Sequence, residues 1–135
     1  MHTRTPQAAG YDEVLELIEA YCRGLYELDT ERLARAFSPT ASYATIQKGV
    51  PLVLTIGEYF ERLSQRTAPA ADGTPFGYTV NSIRFAGENT ALAEIQCSMF
   101  GHDYTDFLSL LRIDGCWRIQ AKVFEGVPHP TQGAA

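Results

Sequence analysis

The chain has 135 residues and a mass of 14.9 kDa, room for one domain and too little for two ordinary ones. Its 45% hydrophobic and 20% charged residues are globular values, and no apolar run reaches the roughly 18 residues of a membrane helix. A net charge of −5, with only two lysines, argues against nucleic acid or an anionic membrane as partner.

Residues 1–10 are polar, lack the apolar core of a signal peptide and read as a flexible end; so does the Pro/Gln/Gly/Ala tail over 127–135. One domain is expected over 11–126. From Asp12, apolar Val14, Leu17, Ile18, Tyr21, Leu25 and Leu28 recur at steps of three and four, the stripe of a core-facing helix. Asp29 or Thr30 can N-cap a second short helix that buries Leu33 and Phe37 and stops at Ser38-Pro39. Ala41–Ile46 reads as a strand, Gly49-Val50-Pro51 as a turn and Leu52–Leu54 as a short strand. Thr55 and Glu58 have the spacing of a capping box and open a third helix carrying Tyr59, Phe60 and Leu63.

After the loop over residues 68–74 the pattern becomes one of strands: Phe76–Phe85, Thr90–Phe100, Tyr104–Ile113 and Cys116–Glu125. The turns between them are Gly87-Glu88-Asn89, Gly101-His102-Asp103 and Asp114-Gly115, the last a strong two-residue hairpin signal. Helices followed by a run of strands predict an α+β fold, three N-terminal helices packed in a strongly bent antiparallel sheet.

The hairpin at Asp114-Gly115 sets a register. Ile113 sits opposite Cys116, Arg112 opposite Trp117, Leu110 opposite Ile119, Leu108 opposite Ala121 and Asp106 opposite Val123. The face carrying Asp106, Leu108, Leu110, Trp117, Ile119, Ala121 and Val123 is nearly all apolar and is expected inside. The other face carries Phe107, Leu111, Arg118, Gln120, Lys122 and Phe124 and suits a two-fold interface. A β-bulge would exchange these faces beyond it. On the strand before, Ala91, Ala93, Ile95, Cys97 and Met99 form the inner set.

The segment from Asp103 to Phe124, with Tyr21-Cys-Arg-Gly-Leu-Tyr-Glu-Leu-Asp29, Ala36-Phe-Ser-Pro-Thr-Ala-Ser42 and Gly87, resembles the nuclear transport factor 2-like superfamily. Within it, the chain resembles the branch described as "putative lumazine-binding", near the polyketide-cyclase-like proteins. The resemblance covers residues 12–126 and implies a cystatin-like cone with a pocket at its wide end, and dimers through the outer sheet face. Relatives include ketosteroid isomerases, dehydratases, epoxide hydrolases, polyketide cyclases and binding proteins, so the fold does not choose the function.

Asp106 is the leading candidate for chemistry: an inward carboxyl among apolar neighbours can act as a base or a protonated donor. Its competing role is structural, bonded to a Tyr hydroxyl or to loop amides. Tyr21, Tyr43, Tyr59 and Tyr104, with Cys97 and Met99, are the expected ligand-binding side chains beside it; Tyr78 could add another hydroxyl. His102 lies about 13 Å along the strand from Asp106, too far to form a dyad. Lys122 reads as an outer-face residue. Three cysteines, an odd number without a Cys-x-x-Cys pair, point to a reduced cytoplasmic chain; no metal and no cofactor are expected.

Three functions fit: a small-molecule-binding protein that holds an apolar or aromatic ligand in the pocket; a cofactor-independent isomerase, dehydratase or cyclase using Asp106 and a Tyr; and a dimeric scaffold. The binding protein ranks first.

Overall fold

The computed structural model describes residues 6–130, with side chains from residue 9. The extreme ends expected to be flexible, 1–5 and 131–135, lie outside the described residues. Helix α1 spans Pro6–Glu27, opening earlier than Asp12 with Pro at its first position, where a missing N–H costs nothing. It buries Val14, Leu17, Ile18, Tyr21, Cys22 and Leu25. Leu28, at φ 51°, ends it: the Leu28 and Asp29 amides return to the Leu25 and Gly24 carbonyls. Asp29 then caps α2 (Thr30–Ala36) by accepting from the Arg32 amide. A Cβ at Gly24 would lie 2.8 Å from the Leu33 side chain, so this glycine lets α2 fold back against α1. Helix α3 (Ile56–Leu63) carries both halves of the Thr55–Glu58 capping box and buries Tyr59 and Leu63. No helix among the described residues is long and apolar enough to cross a membrane.

Six strands make one curved sheet: β1 (Phe37–Gln47), β2 (Val50–Thr55), β3 (Tyr78–Phe85), β4 (Thr90–Met99), β5 (His102–Ile113) and β6 (Cys116–Pro128). Their spatial order is β2-β1-β6-β5-β4-β3. Among the described residues the architecture is α+β with three helices and six strands. The expectation of a wholly antiparallel sheet is corrected in one place: β1 runs parallel to β6. The other pairs are antiparallel neighbours in sequence, and their turns dictate direction. β1 and β6 are joined by no turn, so their relative direction is set by how the helical layer returns the chain to the sheet.

Two turns also differ from expectation. The β1–β2 turn is Lys48-Gly49 and the β4–β5 turn is Phe100-Gly101, each with two positive φ values like Asp114-Gly115. Such paired left-handed residues match the twist of the flanking strands.

The decisive departure lies in β6. Near its turn the expected pairs hold: Ile113 with Cys116, Arg112 with Trp117 and Leu110 with Ile119. Ser109 then pairs with Ala121, leaving Gln120 as an extra residue. Beyond it Leu108 faces Lys122 and Asp106 faces Phe124, not Ala121 and Val123. Lys122 is therefore buried, 6% exposed, and Phe124 packs on the core, while Val123 turns outward at 49% exposure. The Gln120 side-chain amide donates to the carbonyl and hydroxyl oxygens of Thr40, where the β1–β6 ladder also skips. The bulge is thus clasped to the Ser38-Pro39-Thr40 irregularity of β1, where proline's missing donor is tolerated.

The inner set of β4 is buried as expected, and so is Trp117, 7% exposed with its ring edge-on to Phe85.

Candidate functional site

The two carriers of charge inside the sheet come from adjacent strands. Alternation along β5 turns Asp106 inward with Leu108 and Leu110, leaving it 1% exposed. The bulge at Gln120 turns Lys122 inward beside it. Each has a tyrosine from a covering helix. Tyr21 of α1 donates to Asp106 Oδ2 at 2.7 Å. Lys122 Nζ donates to the Tyr59 hydroxyl of α3 at 3.0 Å. Among the described residues, Asp106 Oδ1 has no hydrogen-bond partner. The carboxylate thus keeps one free acceptor oxygen in a dry environment, where an unmet acceptor is costly.

Aromatic rings surround the lysine. Its Nζ lies 4.7 Å from the Phe124 ring centroid, 4.9 Å from Tyr59, 5.3 Å from Tyr21 and 5.5 Å from Tyr43. These are cation–π distances, and desolvated pairs of this kind are the stronger ones. Tyr43 and Tyr59 lie ring on ring at 4.5 Å, and Tyr43 and Tyr104 both pack edge-on against Phe124.

The environment sets the protonation states. Burial works against the Lys122 charge, but the Tyr59 oxygen and the Asp106 carboxylate outweigh it and hold the ammonium above the usual lysine range. Burial, reinforced by Asp106, pushes the Tyr21 phenol well up. Burial raises Tyr59 too, against the pull of Lys122. Cys97 is pushed up to about 12 by burial and by Asp106. At neutral pH the site holds an ammonium, neutral phenols and a neutral thiol. Cys97 is then a packing group and not a nucleophile.

A cavity of about 50 Å³ opens over this cluster. Of the side chains expected at the site, Tyr43, Tyr59, Cys97, Met99, Tyr104 and Asp106 line it. Tyr21 does not; it lies behind Asp106 and orients the carboxylate. Tyr78 bonds Glu19 at 2.8 Å and is absent from the lining. His102 stacks on Tyr104, and its Nδ1 lies 2.9 Å from the Phe100 carbonyl, at the rim. The simple register places Lys122 and Phe124 outside, and no spacing in the sequence marks Arg62 or Arg66; all four line the cavity. One signal for Lys122 was present: an inward Asp106 asks for a compensating cation, and one of the chain's two lysines lies on the adjoining strand.

Solved structures share this fold. An NTF2-like protein of unknown function from Shewanella baltica OS155 superposes with a TM-score of 0.79 at 23% identity, over 96% of this chain and all of that one. Another from Silicibacter pomeroyi DSS-3 gives 0.77 at 22% identity, over 90% of this chain and 98% of that one. A family model described as "Putative lumazine-binding" matches residues 9–125. The chain belongs to that family. A curated relative is the aldolase FrzH of Cladobotryum sp, 25% identical over 123 residues, 87% of this chain and 92% of that protein. The match to the lumazine-binding family covers every residue of the Asp106–Lys122 cluster.

Proposed function

We propose that the pocket performs cofactor-independent acid–base chemistry on a small carbonyl compound. The observation that carries this is the free Oδ1 of a buried Asp106, in a pocket that also holds a charged Lys122. Asp106 Oδ1 accepts a proton from the carbon next to the substrate carbonyl. The C–H electron pair moves onto the carbonyl oxygen, and the Lys122 ammonium and Tyr59 hydroxyl stabilise the enolate. Asp106 then returns the proton to the same or a neighbouring carbon, which is isomerisation. Alternatively the enolate carbon attacks a second carbonyl, and Asp106 protonates the new alkoxide, which is an aldol or cyclisation step. The name of the FrzH relative agrees with the second course.

A pure binder of apolar ligands, ranked first from the sequence, accounts for the rings but not for the ions. Burying an ammonium and a carboxylate costs several kcal/mol per ion before compensation, and an apolar site gains nothing from them. The cavity, far below the roughly 300–1,000 Å³ of drug-sized ligand pockets, suits a compact substrate.

The test is exchange of α-protons of small ketones and aldehydes in D₂O, followed by NMR. Wild type should exchange them, and Asp106→Asn should keep the fold and lose the exchange. Equal rates in the two proteins would refute the assignment.

We also propose that two copies pair through the outer sheet face, where Ile46, Val53, Phe107 and Val123 are exposed. Val123 replaces Phe124 in the expected patch. Val123→Asp should convert a dimer to a monomer in light scattering without moving the pocket groups.

A further inference from the structure

The mouth of the pocket carries charge of one sign. Arg62 of α3 and Arg66, one turn beyond, line it together with Lys122, so three of the chain's eleven Lys and Arg residues meet at one small cavity. The only carboxylate in its lining is Asp106. In a chain of net charge −5 this is a local reversal of sign, and such a reversal attracts anions.

Neither guanidinium is tied up in a close ion pair, although Arg62 acts electrostatically on Glu58. Among the described residues no carboxylate lies within 4 Å of Arg62 or Arg66. Glu58, one helical turn before Arg62, is occupied by the backbone amide of Thr55 in the capping box. Both guanidiniums act electrostatically on the Tyr43 hydroxyl, whose ring packs on Tyr59, the partner of Lys122. Arg66 is held in place, its guanidinium 4.7 Å over the Phe100 ring. Phe100 occupies the first position of the β4–β5 turn at φ 54°, a left-handed conformation unfavourable to a bulky aromatic residue. Asn or Gly would be the easier choice for the turn alone. The strained residue lines the pocket and serves as a platform for Arg66.

We infer that the substrate is a compact oxo acid, its carboxylate held at the mouth by Arg62 and Arg66 while its carbonyl reaches Lys122 and Asp106. Guanidinium forks match carboxylates in bidentate geometry, and the small cavity favours that planar anion over a phosphate ester. This inference rests on the acid–base reading and specifies its substrate.

The experiment measures thermal stabilisation by pyruvate, acetoacetate and 2-oxoglutarate, by their methyl esters and by inorganic phosphate. The proteins are wild type, Asp106→Asn and the double variant Arg62→Gln/Arg66→Gln. Both arginines are solvent-exposed, so the unliganded double variant should melt like wild type. At least one oxo acid should stabilise wild type and Asp106→Asn, with affinity about tenfold or more weaker in the double variant. The esters should not distinguish wild type from the double variant. Equal oxo-acid affinity in wild type and the double variant, or no stabilisation by any oxo acid, overturns the inference. Phosphate binding as tightly as the oxo acids overturns the choice of carboxylate. Oxo-acid α-proton exchange that is lost in Asp106→Asn but unchanged in the double variant leaves the acid–base reading standing and sinks the carboxylate assignment. Arginine-dependent oxo-acid binding with no exchange in wild type does the reverse.

Discussion

The two halves of the β5–β6 hairpin share one alternation and serve opposite ends. Next to the turn, Leu110, Trp117 and Ile119 build a core with no charge in it. Beyond Gln120 the same two strands turn Asp106 and Lys122 inward and build a polar cluster. The difference is one inserted residue. Without the bulge Lys122 would face outward and Val123 would stand beside Asp106, leaving a buried carboxylate with no cation. The apolar core lies where the ladder is regular; Asp106 comes inward by ordinary alternation, and the break in β6 brings Lys122 in beside it.

Mutations in each half should separate the two roles. Trp117→Ala strikes the regular half and should be the most damaging, about 3–5 kcal/mol by urea denaturation, since a buried ring leaves a cavity. A loss under about 1 kcal/mol would remove Trp117 from the core. In the bulged half, Lys122→Met should cost about 1–3 kcal/mol, because it leaves the Asp106 charge uncompensated. Adding Asp106→Asn should recover much of that loss. Additive effects in this double-mutant cycle would mean that the two charges do not interact.

Alkaline titration sharpens the comparison further. The folded protein holds the Lys122 and Tyr21 protons more tightly than their ordinary values of 10.5 and 10.0 allow, because of the neighbours named above. Groups raised in this way contribute stability that is fully present below those values and is lost as pH rises through the folded pKa. Stability should therefore hold through neutral pH and fall from about pH 9, where the Cys97 thiol of the unfolded chain ionises, and more steeply above about pH 10, by about 1.4 kcal/mol per unit for each such group. Lys122→Met and Tyr21→Phe should each flatten the fall, while Trp117→Ala should lower the whole curve without changing its slope.

The smallest effect is expected at the bulge itself. Gln120→Ala removes two hydrogen bonds of 3.2 Å to Thr40, worth about 1 kcal/mol or less at a partly exposed site. If activity falls with little loss of stability, the clasp positions Lys122. If neither changes, packing of Lys122 and Phe124 alone holds the register.

Much of this molecule was legible in its sequence because the relevant forces are local. Apolar spacing marks the buried stripe of α1, Thr55 and Glu58 open α3, and Asp114-Gly115 dictates the last hairpin. Alternation identifies the inner set of β4 and sets Asp106 inside, and the family resemblance names the α+β fold. Tertiary structure decided the rest. The parallel pairing of β1 with β6 joins segments that no turn connects. The bulge at Gln120 is bonded to Thr40, some eighty residues away in sequence. Arg62 lies in the last turn of α3 and Arg66 in the turn after it, both on the exposed side of the local pattern, and only the closure of α3 over the sheet brings them to the pocket mouth. A strand's side-chain period of two carries no record of where it is interrupted, so the turn predicts a register only as far as the first bulge. Asp106 lay on an unbroken strand and could be found; Lys122 lay beyond the break, and only the folded sheet turned it inward.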